Sequence, residues 1–124
     1  MPTTTDIYLS RLIALREYGF PLAEQKEREG ALNFRFFMNN CGTVGCILGW
    51  RTTTEYARSD GWTMSLGTPL WNGMEEEKAA NAYFGEDAYY KLFMSKYDNE
   101  QSNADCLAER RMRLGAMIAE KMEA

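Results

Sequence analysis

Histidine is absent from this 124-residue sequence, and that absence excludes more than any residue present establishes. Without imidazole there is no Ser-His or Cys-His nucleophile pair, no His-based metal site and no imidazole proton shuttle at neutral pH. An enzyme built from these residues would have to work through carboxylates, lysine, tyrosine or a thiolate. Cysteine is scarce too, at three residues, and an odd count favours free thiols over a disulfide framework. No stretch approaches eighteen uninterrupted apolar residues; the longest uncharged apolar patch, Val44 to Trp50, is far too short to span a bilayer. Met1 to Asp6 lacks the basic start and apolar core of a signal peptide, so no membrane association and a cytoplasmic location are expected. The net charge of −4 comes without a concentrated basic surface, which argues against a nucleic-acid partner, and it is too mild for a mimic of DNA.

The residues that are present describe a packed globule. Hydrophobic side chains make up 45% and aromatics 13%, spread along most of the length, which is the composition of one domain over 1–124 and not of a disordered tail. Apolar spacing predicts a mainly α fold of five or six helices with a small β-hairpin near 60–72. Ile7 to Tyr18 reads as a helix capped by Asp6 and stopped by Gly19. A second helical run opens at Phe20-Pro21 and ends before Gly30, its charges Glu24, Lys26, Glu27 and Arg28 reading as a solvated face. Phe34, Phe36 and Phe37 sit in a segment with strand or extended character. A central helix, buried in its first half, is expected over about 42–58. Trp62-Thr63-Met64-Ser65-Leu66 alternates as a strand, in a region rich in turn residues that ends near Gly73. Helices are then expected from Met74 to Phe84, from Glu86 to Tyr97 and from Ala104 to Lys121, the last burying Leu107, Leu114, Met117 and Ile118 and pairing Glu109 with Arg113.

The densest pattern is Cys41-Gly42-Thr43-Val44-Gly45-Cys46-Ile47-Leu48-Gly49-Trp50. On a helix, Gly42, Gly45 and Gly49 share a stripe, with Cys46 beside it, and open a groove shallow enough for close backbone approach. Cys41 and Cys46 would point away from each other there, which disfavours a disulfide between them. This run, followed by Ala80-Asn81-Ala82-Tyr83-Phe84-Gly85 with Ala88 and Leu92-Phe93, resembles a signature of small uncharacterised phage, prophage and bacterial proteins. The resemblance covers about Asn33 to Tyr97 and departs where Gly45 replaces a frequent alanine. It implies an accessory gene product of mobile elements and supplies no activity.

Three classes of function follow. Cys41 at a helix start could act as an activated thiol, with the amides of Gly42 and Thr43 holding an oxyanion, although no histidine completes the set. Read structurally, Cys41, Gly42, Thr43, Gly45, Cys46, Gly49 and Trp50 form a close-packed helix start. Alternatively those amides receive a nucleotide or anion, with Trp62 or Trp71 stacking over a base. The favoured expectation is a non-enzymatic protein without cofactor or metal that binds and modulates a host protein or complex, with a homodimer left open. Trp62, Met64, Trp71 and Arg110 are its candidate binding residues, since such side chains are enriched at interfaces.

Overall fold

The fold is described from a computed structural model over residues 3–32, 47–93 and 102–123. The expected aromatic segment with Phe34, Phe36 and Phe37, and motif residues Cys41, Gly42, Thr43, Gly45 and Cys46, lie outside the described residues. The first helix, α1 (Thr4–Ala14), is capped by Thr3, whose hydroxyl accepts from the Asp6 amide while the Asp6 carboxylate accepts from the Thr3 amide. Asp6 is therefore the third residue of the helix, closing a capping box with Thr3, and not the cap itself.

Gly19 does not stop this helix. The chain widens into a π-helical turn over Leu15–Gly19 and continues directly into α2 (Phe20–Arg28). The reason lies at Pro21, which has no amide to donate and whose ring crowds the carbonyl four residues back. The wider turn, closed by the Phe20 amide donating to the Leu15 carbonyl, relieves that crowding without ending the helix. Gly30 does end α2. At φ +74 it takes the left-handed conformation, with its amide donating to Glu27 and the Ala31 amide to Lys26, a Schellman arrangement.

The expected helix over 42–58 is also interrupted. All six residues of α3 (Ile47–Thr52) are buried, yet the chain leaves the helix at Thr53-Thr54 and restarts as α4 (Glu55–Ser59). Three consecutive threonines cause the break. Thr52, Thr53 and Thr54 each donate a hydroxyl to a carbonyl three or four residues back, at 2.6–2.7 Å, and Thr54 turns extended to cap α4.

The hairpin is present, and a third strand joins it. Strands β1 (Trp62–Ser65), β2 (Thr68–Trp71) and β3 (Met74–Glu75) form an antiparallel sheet in the order β1-β2-β3, pairing Trp62 with Trp71 and Trp71 with Met74. Met74 and Glu75 are thus strand and not helix; α5 (Glu76–Phe84) follows and ends at Gly85, φ +118. A second π-helical turn occupies Tyr89–Phe93, and the rest of the helix expected to Tyr97 lies outside the described residues. The long helix α6 (Asn103–Glu123) buries Leu107, Leu114, Met117 and Ile118 as its spacing requires, and Glu109 pairs with Arg113. Helix α1 packs on α5 and α6, α2 on α3 and α6, and the sheet lies over α3 and α5. No helix of the described residues is long and apolar enough to cross a membrane.

Candidate functional site

The small sheet is anchored at one end and bare at the other. Trp62 is 0% exposed, and its partner in register, Trp71, stacks on it at 6.3 Å between ring centres. Tyr83 of α5 meets both indoles edge-on, at 5.3 Å and 5.0 Å, and Phe84 stands 4.7 Å from Tyr83. The Trp71 indole N–H donates to the Asp60 carbonyl at 2.9 Å. Gly61 makes that approach possible: at φ +99, its position would put a Cβ 3.3 Å from Trp71 Nε1.

Two arginines complete this base. Arg11 of α1 lies 4.1 Å from the centre of the Tyr83 ring and donates to the Tyr83 carbonyl at 2.8 Å. Arg51 of α3 is 3% exposed, with its guanidinium 4.8 Å from Tyr83, 4.9 Å from Phe84, 5.1 Å from Trp62 and 5.9 Å from Tyr56. Cation–π contacts contribute roughly 0.5–2 kcal/mol each, so the rings take over part of the solvation that water would otherwise supply. Burial pulls the Arg51 pKa down, while Tyr83 and Asp60 favour its charged form; an arginine stays protonated through such a shift. Burial, followed by donation of its hydroxyl to the Asp60 carboxylate, pushes the Tyr83 phenol up and keeps it protonated.

At the far end the picture reverses. The turn between β1 and β2 consists of Leu66 at φ +51 and Gly67 at φ +82, and the Leu66 side chain is 93% exposed. A two-residue hairpin with both central residues at positive φ suits Asn-Gly, whereas a leucine there is strained. The turn between β2 and β3 has that preferred pair, Asn72 at φ +51 and Gly73 at φ +77. Pro69, which has no amide to donate, stands just beyond the last β2 residue that β3 pairs with, so the tip around Leu66 is supported by β1 and β2 alone.

The four expected binding residues therefore separate. Trp62 is a closed anchor, Trp71 is half-buried and committed to Asp60, and Met64 is half-buried against the core. Arg110 is 1% exposed, which corrects its reading as a surface contact. Its position explains this: Arg110 lies three residues from Leu107 and four from Cys106 and Leu114, on the apolar face of α6. Arg111, by contrast, is exposed and reaches Glu24 of α2 at 2.6 Å, so Glu24 belongs to a helix–helix contact and not to a free solvated face. Of the motif residues within the described chain, Gly49 and Trp50 are both buried in α3; the Trp50 indole donates to the Ala31 carbonyl at 2.9 Å, and Lys26 lies 4.4 Å from the centre of its ring.

The sequence assigns no site role to Arg51, Tyr83, Asp60 or Arg11, and its alternation places Leu66 at the end of a strand, whereas β1 ends at Ser65 and Leu66 forms the turn. For Leu66 a local signal existed, a glycine following it midway between two paired tryptophans. For the others there was none, because Arg51 and Tyr83 are brought together only by the fold. Among the described residues no group of three or more Cys, Asp or Glu side chains could hold a metal ion. Comparison with protein-family models, with curated proteins and with solved structures finds no match.

Proposed function

We propose that this chain is a small non-enzymatic accessory protein, of the kind carried by phages and mobile elements, that binds and modulates a host protein through the tip of its β1–β2 hairpin. The observation that carries the reading is Leu66: an almost fully exposed leucine held at a positive φ that costs the fold, in a sheet whose other turn uses asparagine at the same angle. Strain kept at an exposed apolar side chain points to a use outside folding. The anchored base supports this, since an insertion element works best when rigid and pre-organised. The mobile-element setting is supported by the resemblance described for the Cys41 to Trp50 run.

The test is affinity capture from bacterial lysate with wild type and Leu66→Asn. Wild type should recover a specific protein that Leu66→Asn fails to hold, while the variant melts at a higher temperature. Recovery of the same protein by both, or of none by wild type, would count against the reading.

A further inference from the structure

Arg51 is satisfied on its faces and not on its edge. Trp62, Tyr83 and Phe84 surround the guanidinium, and the Tyr83 hydroxyl lies near enough to favour its charge, but Nη1 and Nη2 are closed from solvent and among the described residues neither makes a hydrogen bond of full geometry. The nearby Asp60 carboxylate accepts the Tyr83 hydroxyl instead. The edge of a guanidinium is a rigid fork of N–H donors matched to the oxygens of a phosphate or carboxylate, so a buried fork with donors left over has the chemistry to receive such a group.

Of the rings near Arg51, Tyr56 reaches solvent, at 42% exposure, and it lies 5.9 Å from Tyr18, which is 64% exposed. Tyr18 belongs to the π-helical turn Leu15–Gly19, a local geometry frequent at functional sites. The same turn lies over the Arg51 stem: a Cβ on Gly19 would stand 3.8 Å from Arg51 Cγ. The fork, the exposed tyrosine pair and the non-standard helical turn therefore converge on one place in the fold.

The geometry points to Arg51 as the anchor of a phosphate-binding site that opens when the Tyr18 and Tyr56 rings part. Two terminal nitrogens offer up to four N–H donors, which a phosphate group satisfies more fully than a carboxylate. The phosphate arrives either free or on a nucleotide, whose base would have the exposed tyrosine rings to stack on. This site is separate from the hairpin tip and stands whether or not Leu66 contacts a partner.

Thermal melting and tryptophan fluorescence, titrated with inorganic phosphate and in parallel with adenosine monophosphate at constant ionic strength, test it. Wild type should show a saturable rise in melting temperature. Equal shifts with both probes identify the phosphate as the whole determinant, and a shift with the nucleotide alone assigns it the source. Arg51→Met should still fold, since an apolar side chain suits the cage, but bind by roughly tenfold less or worse. Should Arg51→Met not melt cooperatively, Arg51→Lys decides: it keeps the charge without the fork and should also bind more weakly. The absence of a saturable shift in wild type with either probe, or equal binding by the cooperatively folded Arg51 variant, overturns the assignment.

Discussion

The two turns of the sheet adopt one geometry with different residues. Leu66 and Asn72 both sit at φ +51, each followed by a glycine at positive φ. Asparagine tolerates the left-handed region because its short amide can bond locally, whereas leucine brings only a steric cost of about 1 kcal/mol or more. The difference separates residues chosen for folding from one that folding disfavours. The Asn72-Gly73 turn delivers β3 to α5, and its sequence is what a backbone of this shape asks for. The Leu66-Gly67 turn delivers nothing to the core, and its side chain stands in solvent.

The largest test of this contrast is at the base both turns share. Trp62→Ala should cost about 3–5 kcal/mol in urea denaturation, because a fully buried indole and its ring contacts are lost. A cost below about 1 kcal/mol would mean that the sheet is not anchored and that its turns cannot be compared as parts of one rigid unit. Next comes Tyr83→Phe, expected to cost about 2 kcal/mol through the lost bond to a carboxylate.

The same phenol predicts a pH dependence. Its folded pKa is raised above the ordinary value of 10.0, so the unfolded chain loses this proton first. The stability it contributes is complete below pH about 10 and declines as pH climbs through the folded value. Urea midpoints measured from pH 8 upward should fall more steeply for wild type than for Tyr83→Phe; parallel curves would remove Tyr83 as the cause.

Exchanging the turn residues gives the intermediate effect and addresses the comparison directly. Leu66→Asn should raise stability by about 1 kcal/mol, or about 4 °C in melting temperature, and Asn72→Leu should lower it by a similar amount. If the two changes move stability in the same direction, the turns are not equivalent and the inference from Leu66 fails. The smallest effect is expected at the Glu109–Arg113 pair on α6, a partly exposed i,i+4 contact whose coupling in a double-mutant cycle with Glu109→Ala and Arg113→Ala should be no more than about 0.5 kcal/mol. A larger coupling would show that this pair is held more rigidly than an exposed helix contact and would upset the ranking of effects.

Periodic signals are the most legible part of the sequence. The apolar stripe of α6, the Glu109–Arg113 pair, the strand alternation from Trp62 and the end of α2 at Gly30 all follow from neighbours within a few residues of each other. Boundaries set by competition were harder. Gly19 looks like a stop until the crowding at Pro21 is met by a π-helical turn. Thr52-Thr53-Thr54 looks like tolerable helix until its hydroxyls reach back to the carbonyls. Asn72-Gly73 is a turn signal, but the acidic run Glu75 to Glu77 also suits a helix start, and only pairing with β2 decides that Met74–Glu75 is a strand. Arg110 is of a residue type enriched at interfaces, yet its position on the apolar face of α6 buries it.

The missing histidine, the helical stripes and the left-handed glycines are local facts, and they constrain this protein before any folding: they limit its chemistry and set most of its secondary structure. Burial is not local. Whether Trp62 faces solvent or core, whether Arg51 lies open or in a cage with Tyr83 thirty-two positions away, and whether Leu66 is covered or bare depend on how α1, α3, α5 and the sheet pack against one another. Desolvation and cation–π contact are properties of that packed environment, so the candidate site emerged only with the tertiary structure.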